Sequence, residues 1–283
     1  MSNAKQIEYW NGDAGKRWAR EDGTMARLLR PVSEALLAHA RPEGSRHALD
    51  IGCGCGSQSM MLAEKLGAGS RVLGVDISGP MLQVARDNAA VPGADRADVA
   101  FLQADAATHA FDTGNFDLIF SRFGVMFFDD PVTAFSNIRK AMRPQARLAF
   151  CCWQSMKEND WTRIPVQAAL QHVAPPEKSD PHAPGPFAFA DSQRVQDILQ
   201  SSGFCDVAVQ SFTTDMRFDK APTLQQSVRE LAMIGPVSML LANQEPEVIE
   251  RVFSSMEEAL TPYYQDGALS LPGAIWFVTA MTD

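Results

Sequence analysis

The stretch His47–Met60, reading HALDIGCGCGSQSM, constrains the architecture of this chain more than any other. A short apolar run (Ala48, Leu49, Ile51) punctuated by Asp50 meets glycines at Gly52, Gly54 and Gly56. Ser57-Gln58-Ser59 then opens a segment whose apolar residues (Met60, Met61, Leu62, Leu66) fall at helical spacing. The order is strand, glycine-rich turn, helix. Glycines tolerate backbone angles that other residues avoid, and they let the main chain approach a ligand with no Cβ in the way. The first turn of the helix aims unpaired N–H groups at the same spot.

From Arg46 onward strand and helix patterns alternate, the signature of a doubly wound parallel α/β sheet. Strands are expected at 47–51, 71–76, 98–103, 116–122 and 146–152, with helices at 57–66, 79–90 and 130–142. Asp129-Asp130-Pro131 opens the last of these, with acid groups near the positive helix end and proline in the first turn. Val91-Pro92-Gly93 closes the one before it. Ahead of the sheet, residues 4–41 read as helical: Ile7, Tyr9, Trp10, Ala14 and Trp18 mark one segment, and Val32, Leu36 and Leu37 follow Pro31. Residues 154–190 hold Pro165, Pro175, Pro176, Pro181, Pro184 and Pro186 and read as an irregular cover. A helix at Ser192–Ser202, a strand at Asp206–Phe212, helices at Thr223–Ile234 and Pro246–Leu260 and an apolar strand at Ala274–Ala280 complete the pattern. The chain therefore divides into an N-terminal helical arm (1–44), a core (45–153), the cover (154–190) and a remainder (191–283) with a helical insertion at about 213–268.

The ligand is narrowed by spacing. The dinucleotide fingerprint G-x-G-x-x-G needs a glycine where this chain has Ser57. Here the spacing is G-x-G-x-G. About twenty residues on, Val72-Leu73-Gly74-Val75 ends in Asp76, where an acidic group would meet a ribose hydroxyl pair. An adenosine-containing ligand suits that arrangement. The blocks LDIGCGCGS, GVDIS, QADA (Gln103–Ala106) and FDLIFSRFG (Phe116–Gly124), in that order, resemble class I S-adenosylmethionine (SAM)-dependent methyltransferases over at least residues 45–153. With YWNGDAG near the start and SRFGVMFFDDP in the middle, the pattern is similar to small-molecule enzymes of the methyltransferase type 11 group, ubiquinone-biosynthesis-like enzymes among them.

The resemblance implies a Rossmann-like, seven-stranded, mostly parallel sheet whose last strand inserts antiparallel, with an N-terminal arm and a helical cap insertion. It also implies SAM as cofactor, S-adenosylhomocysteine as its product and a small-molecule acceptor carrying an oxygen, nitrogen or carbon nucleophile. Under it, Gly52, Cys53 and Gly54 pass the amino-acid part of SAM, and Asp76 accepts from the ribose. Ile77 and Met81 cover one adenine face, while Asp105 and Ala106 read the adenine edge. Ser121 and Phe123 end the fourth strand beside the transferred methyl; Arg122 between them either lines the pocket or braces the loop. Trp10, Arg17 and Trp18, with Tyr9, either close over the methionine end, Arg17 pairing with its carboxylate, or clamp the arm to the core. Phe127, Phe128 and Trp153 suit a sulfonium and suit core packing equally. No catalytic residue is assigned. Among the five histidines, His172 and His182 in the cover are the better placed as a general base.

The formal net charge of −9 argues against a nucleic-acid partner. DNA amine methyltransferases carry an Asn/Asp-Pro-Pro-aromatic block where this chain has Ser121-Arg122-Phe123-Gly124. A nicotinamide-dependent oxidoreductase is disfavoured by Ser57 and the QADA block. A SAM-binding protein without turnover stays open. Five cysteines, an odd number, outline no disulfide framework and suit a reducing compartment. The histidines lack metal-ligand spacing, so no metal is expected. No apolar run is long enough for a membrane span, and a cytoplasmic location is the expectation. Monomer and homodimer both stay open.

Overall fold

The computed structural model describes residues 4–90, 95–176, 180–219 and 223–283. The arm forms α1 (Ala4–Asn11), α2 (Asp13–Arg20), α3 (Asp22–Leu28) and α4 (Arg30–Ala40). α4 carries proline in its first turn and buries Val32, Leu36 and Leu37, the face expected from their spacing, together with Ser33 and Ala40.

The alternation follows as β1 (His47–Ile51), α5 (Ser57–Leu66), β2 (Arg71–Asp76), α6 (Gly79–Ala89), β3 (Asp98–Gln103), β4 (Phe116–Arg122), α7 (Pro131–Lys140) and β5 (Met142–Trp153). Ser78 caps α6 by accepting from Met81 N–H. Of the two aspartates before α7, Asp130 is the cap, accepting from Thr133 N–H at 3.1 Å. The expected stop at Val91–Gly93 lies outside the described residues. The rest of the chain supplies α8 (Asp160–Ala169), α9 (Ser192–Ser201), β6 (Cys205–Phe218), α10 (Leu224–Ala232), α11 (Gly235–Leu241), α12 (Pro246–Leu260), β7 (Tyr264–Gln265) and β8 (Ala268–Met281).

The sheet runs β3-β2-β1-β4-β5-β8-β6, with β7 paired to β8. β1 to β5 pair in parallel, and β8 enters antiparallel to β5 with Leu148 opposite Ala280 and Cys152 opposite Trp276. The inserted antiparallel last strand is thus as expected; the eighth strand is the two-residue β7, too short to leave a periodic signal. No helix among the described residues is long and apolar enough to cross a membrane.

The chain forms two compact units, the first from residues up to Trp153, Pro181–Phe212 and Ile275–Asp283, the second from Gln154–Asp180 and Thr213–Ala274. In the first, Phe135 of α7 sits fully buried, 5.7 Å from the Phe150 ring and 6.3 Å from those of Phe189 and Phe204. Beneath the glycine-rich turn lies a polar cluster. Asp50 of β1 is buried and accepts from Ser59 Oγ at 2.6 Å. Arg122 donates to Ser33 Oγ at 2.7 Å and reaches Ser57 Oγ at 3.5 Å, so it braces α4 against the start of α5. Burial pushes the Asp50 carboxyl up to about 7, against the Ser59 hydrogen bond and the nearby Arg122 charge, which pull it down.

In the second unit, residues 160–169 correct the reading of an irregular cover. α8 forms there with Pro165 inside it, and Trp161, Thr162, Ile164, Pro165, Ala168 and Ala169 are all buried. Tertiary burial overrides the missing proline donor. Asn159 anchors the segment from a fully buried position. Its Nδ2 reaches the carbonyls of Gln154, Ser155 and Ala274 at 3.0–3.2 Å, and its Oδ1 accepts from Ala274 N–H at 2.9 Å and Trp161 Nε1–H at 3.2 Å.

Asn159→Leu strands those buried donors and acceptors, and urea unfolding is expected to show a loss of at least ~2 kcal/mol. Asp50 makes a pH prediction. Its carboxyl holds a proton more tightly folded than unfolded, so its contribution to stability is greatest below the ordinary value of 3.8, erodes as pH climbs to about 7 and is flat above that. The stability of Asp50→Asn relative to the unsubstituted protein should therefore rise between these limits and then level, as urea titrations at stepped pH will read.

Candidate functional site

The strand order reverses between β1 and β4: the chain runs outward from β1 to β2 and β3 on one side, while β4 and β5 lie on the other. Ligands of open α/β sheets bind beyond the carboxyl ends of the strands at such a reversal. There the backbones of Gly52 and Gly124 nearly touch. Gly52 has φ +67, and a Cβ on it would lie 2.6 Å from Gly124 Cα. A Cβ on Gly124 would lie 2.5 Å from the Ile51 carbonyl oxygen. The buried Ser121 hydroxyl fixes this approach, donating to the Ile51 carbonyl at 2.7 Å and accepting from Gly124 N–H at 3.2 Å.

Asp76 closes β2 facing the turn. One carboxylate oxygen accepts from Gly54 N–H and the other from Ser78 N–H, each at 2.8 Å. Burial raises its carboxyl above the ordinary range, while the N–H groups of Ser78, Gly54 and Ile77 hold it back. Each oxygen keeps a further lone pair for an incoming hydroxyl. Met81 stands close: a Cβ on Gly54 would meet its Cε at 2.7 Å.

Two residues absent from the sequence-based site organise the turn after Asp76. Asn11 donates to the Ile77 carbonyl at 2.9 Å and accepts from Gly79 N–H at 3.0 Å. Gln103 donates to the same Ile77 carbonyl at 3.1 Å, and Ser78 Oγ donates to the Trp10 carbonyl at 2.7 Å. The arm is thus hydrogen-bonded to the segment following Asp76. The only trace in the sequence is the asparagine of YWNGDAG, a polar side chain amid aromatic ones. Trp10 meets Phe127 and Trp18 edge-on, at 5.4 and 6.0 Å. Arg17 keeps a buried Nε with no hydrogen-bond partner among the described residues.

The other expected residues follow along the strand ends. Asp105 accepts from Ala107 N–H at 2.9 Å, and Asn137 reaches the Ala106 carbonyl at 3.2 Å. Phe123 adopts φ +64, a strained setting for an aromatic residue. Its N–H bonds the Cys151 carbonyl at 3.1 Å, and its ring stacks on Trp153 at 4.2 Å with 7° between the planes. Burial pushes the thiols of Cys55 and Cys151 up to about 12 and those of Cys53 and Cys152 well above the ordinary value, which keeps all four protonated near neutrality. No group of three or more His, Cys, Asp or Glu among the described residues could hold a metal ion. The two candidate bases fall in different units. His172 bonds Ser255 Oγ at 2.7 Å in the second, and His182 lines a surface depression with Asp191, Arg194 and Asp197 in the first.

Residues 49–150 match the family model described as a methyltransferase domain. The chain is 28% identical to the nocamycin O-methyltransferase of Saccharothrix syringae over 211 residues, covering 72% of this chain and 75% of that one. It is also 28% identical to the aklanonic acid methyltransferase of Streptomyces sp. (strain C5) over 184 residues, 63% of this chain and 82% of that one. Among solved structures, the fold superposes on Haemonchus contortus phosphoethanolamine N-methyltransferase 2 in complex with SAM, with a TM-score of 0.58 and 19% identity, over 100% of this chain and 60% of that one. The sheet, its glycine-rich turn and these matches together support a SAM-dependent methyltransferase, with a methyltransferase domain at residues 49–150.

Proposed function

We propose that this enzyme methylates a small molecule by in-line displacement, with the cofactor held by the first unit at the carboxyl ends of β1, β2 and β4. The observation that carries the reading is the Asp76 carboxylate, tied to Gly54 N–H across the glycine-rich turn with acceptor capacity left over. Two vicinal ribose hydroxyls suit it. Each such bond to a charged acceptor is worth roughly 1.5–3 kcal/mol. Ile77 and Met81 offer an apolar face to adenine, and Asp105 with Ala106 N–H offers an acceptor and a donor to its edge. Gly52, Cys53 and Gly54 let the main chain pass close to the methionine part.

The unpartnered Nε of Arg17 supports a bond to the cofactor's carboxylate. The docking of the arm on residues 77–79 supports a role for Trp10 and Trp18 in closing the site against water. When bound, SAM would supply an electrophilic methyl carbon: an oxygen, nitrogen or carbon nucleophile would bond to it as the carbon–sulfur bond breaks, with S-adenosylhomocysteine as the leaving group. Ser121 holds the end of β4 at the Ile51 carbonyl, and the Phe123–Trp153 stack fixes an aromatic face there. Aromatic faces stabilise a sulfonium better than lysines, whose positive charge would repel it. Alignment of the two reactants can supply up to roughly 7–11 kcal/mol of the barrier.

A small-molecule acceptor is supported by the two relatives, a nocamycin O-methyltransferase and an aklanonic acid methyltransferase, and the net charge of −9 weighs against a nucleic acid. Five free cysteines suit a reducing, cytoplasmic setting. Calorimetry tests the cofactor site. Asp76→Ala should weaken S-adenosylhomocysteine binding at least tenfold while the protein stays folded by circular dichroism, and unchanged affinity overturns the ribose assignment. Transfer of a labelled methyl group should occur to members of a small-molecule panel and not to DNA or RNA.

A further inference from the structure

YWNGDAG contains the only Asn-Gly pair in the chain, Asn11-Gly12. Asn11 is the last residue of α1, and its amide is engaged at both ends. Nδ2 donates to the carbonyls of Ile7 and Ile77 at 2.8 and 2.9 Å. Oδ1 accepts from Gly79 N–H at 3.0 Å and from Gln103 Nε2 at 3.3 Å. This one side chain therefore latches the arm to the turn after Asp76.

Asparagine followed by glycine is also the sequence in which the main chain attacks a side-chain amide most readily. The next nitrogen lies one five-membered ring closure from the amide carbon, and glycine puts no Cβ in its path and lets the backbone turn as closure requires. In the docked arm three restraints oppose that closure. The helical backbone at Asn11 fixes the direction of the following nitrogen. Gly12 N–H is engaged with the carbonyls of Glu8 and Tyr9 at 3.0 and 3.3 Å. The four hydrogen bonds hold the amide itself in place. α1 and α2 are eight residues each, too short to be stable away from the core, so an undocked arm loses all three restraints together.

We propose that Asn11-Gly12 is a deamidation site gated by the docking of the arm, and that its conversion opens the latch covalently. The Gly12 nitrogen gives its proton to hydroxide and attacks Asn11 Cγ. The new C–N bond forms, the Cγ–Nδ2 bond breaks, and Nδ2 leaves as ammonia with a proton taken from water. A water molecule then opens the succinimide to an aspartate or an isoaspartate at position 11. One water is consumed and one ammonia released, with no change of oxidation state. In the aspartate product one oxygen keeps Gly79 N–H, while the other faces the Ile7 and Ile77 carbonyl oxygens, acceptor against acceptor. In the isoaspartate product the main chain itself is rerouted through the former side chain. Either way the arm loses its bond to Ile77. The modification stands apart from the cofactor reading; its consequence for cofactor affinity rests on that reading.

The test incubates the full chain in mildly alkaline buffer and follows position 11 by peptide mass spectrometry. Asn11 should convert ahead of every other asparagine in the native protein, but slower by about tenfold or more than in urea, because only the undocked fraction reacts. Ser78→Ala, which removes the bond to the Trp10 carbonyl, should speed native conversion. Gly12→Ala should suppress it in urea and in buffer alike. Converted protein, separated by its added negative charge, should be cut faster by trypsin within α1 and α2 and should bind S-adenosylhomocysteine about tenfold more weakly. Asn11→Asp serves for these two measurements if too little protein converts. Native conversion as fast as in urea, or none while the unfolded chain converts, overturns the proposal, and so does unchanged tryptic cutting of the converted arm. Unchanged affinity in the converted protein overturns the link to the cofactor. If S-adenosylhomocysteine does not bind the unsubstituted chain, the cofactor reading fails by itself, and mass spectrometry with proteolysis still decides the latch.

Discussion

Asp76 joins the carboxyl ends of β1 and β2 through a single side chain, and the site is laid out around that join. Its two oxygens accept from Gly54 N–H before α5 and from Ser78 N–H before α6. Two helices that enter the sheet from separate turns thereby acquire a common reference point. The carboxylate is half-buried, so desolvation opposes its charge, and main-chain N–H groups supply the compensation. Had lysine or arginine supplied it, the carboxylate would be committed to a long, mobile partner. Main-chain donors fixed by helix starts leave lone pairs pointing in defined directions.

On the other side of β1 the constraint is steric. Gly52 and Gly124 approach so closely that neither accommodates a Cβ, and Ser121 locks the approach. Beneath both contacts, Arg122 ties α4 to the start of α5 while Asp50 and Ser59 tie β1 to α5. The turn is held from three directions by groups that are buried or half-buried. That rigidity is what lets a glycine-rich segment, the least restrained kind of backbone, present a fixed surface.

How much of this was legible in the sequence depended on the range of the interaction. The strands of 45–122 and the helices between them declare themselves through local periodicity, and their observed bounds agree with those expected to within a residue. The glycine-rich turn after β1 and Asp76 at the end of β2 were readable as positions in the fold, because residue type at a short, fixed spacing marks them. Asn11 bonding to Ile77, Gln103 to the same carbonyl and Arg122 to Ser33 are contacts between distant parts of the chain, and no local pattern announces them. α8 was missed for the opposite reason. Pro165 gave a strong local signal against a helix, and the six buried side chains together with the Asn159 anchor outweighed it. Phe123 in a left-handed conformation was likewise invisible, since a residue other than glycine gives no warning of positive φ.

The arm shows how such long-range contacts change the meaning of a residue. Read alone, Tyr9-Trp10-Asn11 is an aromatic extension in need of something apolar to cover. In the structure its polar member decides where it sits: Asn11 meets both the Ile77 carbonyl and Gly79 N–H, and Ser78 returns a bond to the Trp10 carbonyl. Gly15 is required at that contact, because a Cβ there would lie 1.8 Å from the Trp10 carbonyl oxygen and 2.8 Å from Ser78 Oγ. The residues that place the arm are therefore those that shape the backbone immediately after Asp76. Loosening the arm removes partners from Ile77 and Gly79, and distorting the turn removes partners from Asn11 and Trp10. Because the two share these hydrogen bonds, the arm is part of the machinery that sets the carboxylate's geometry.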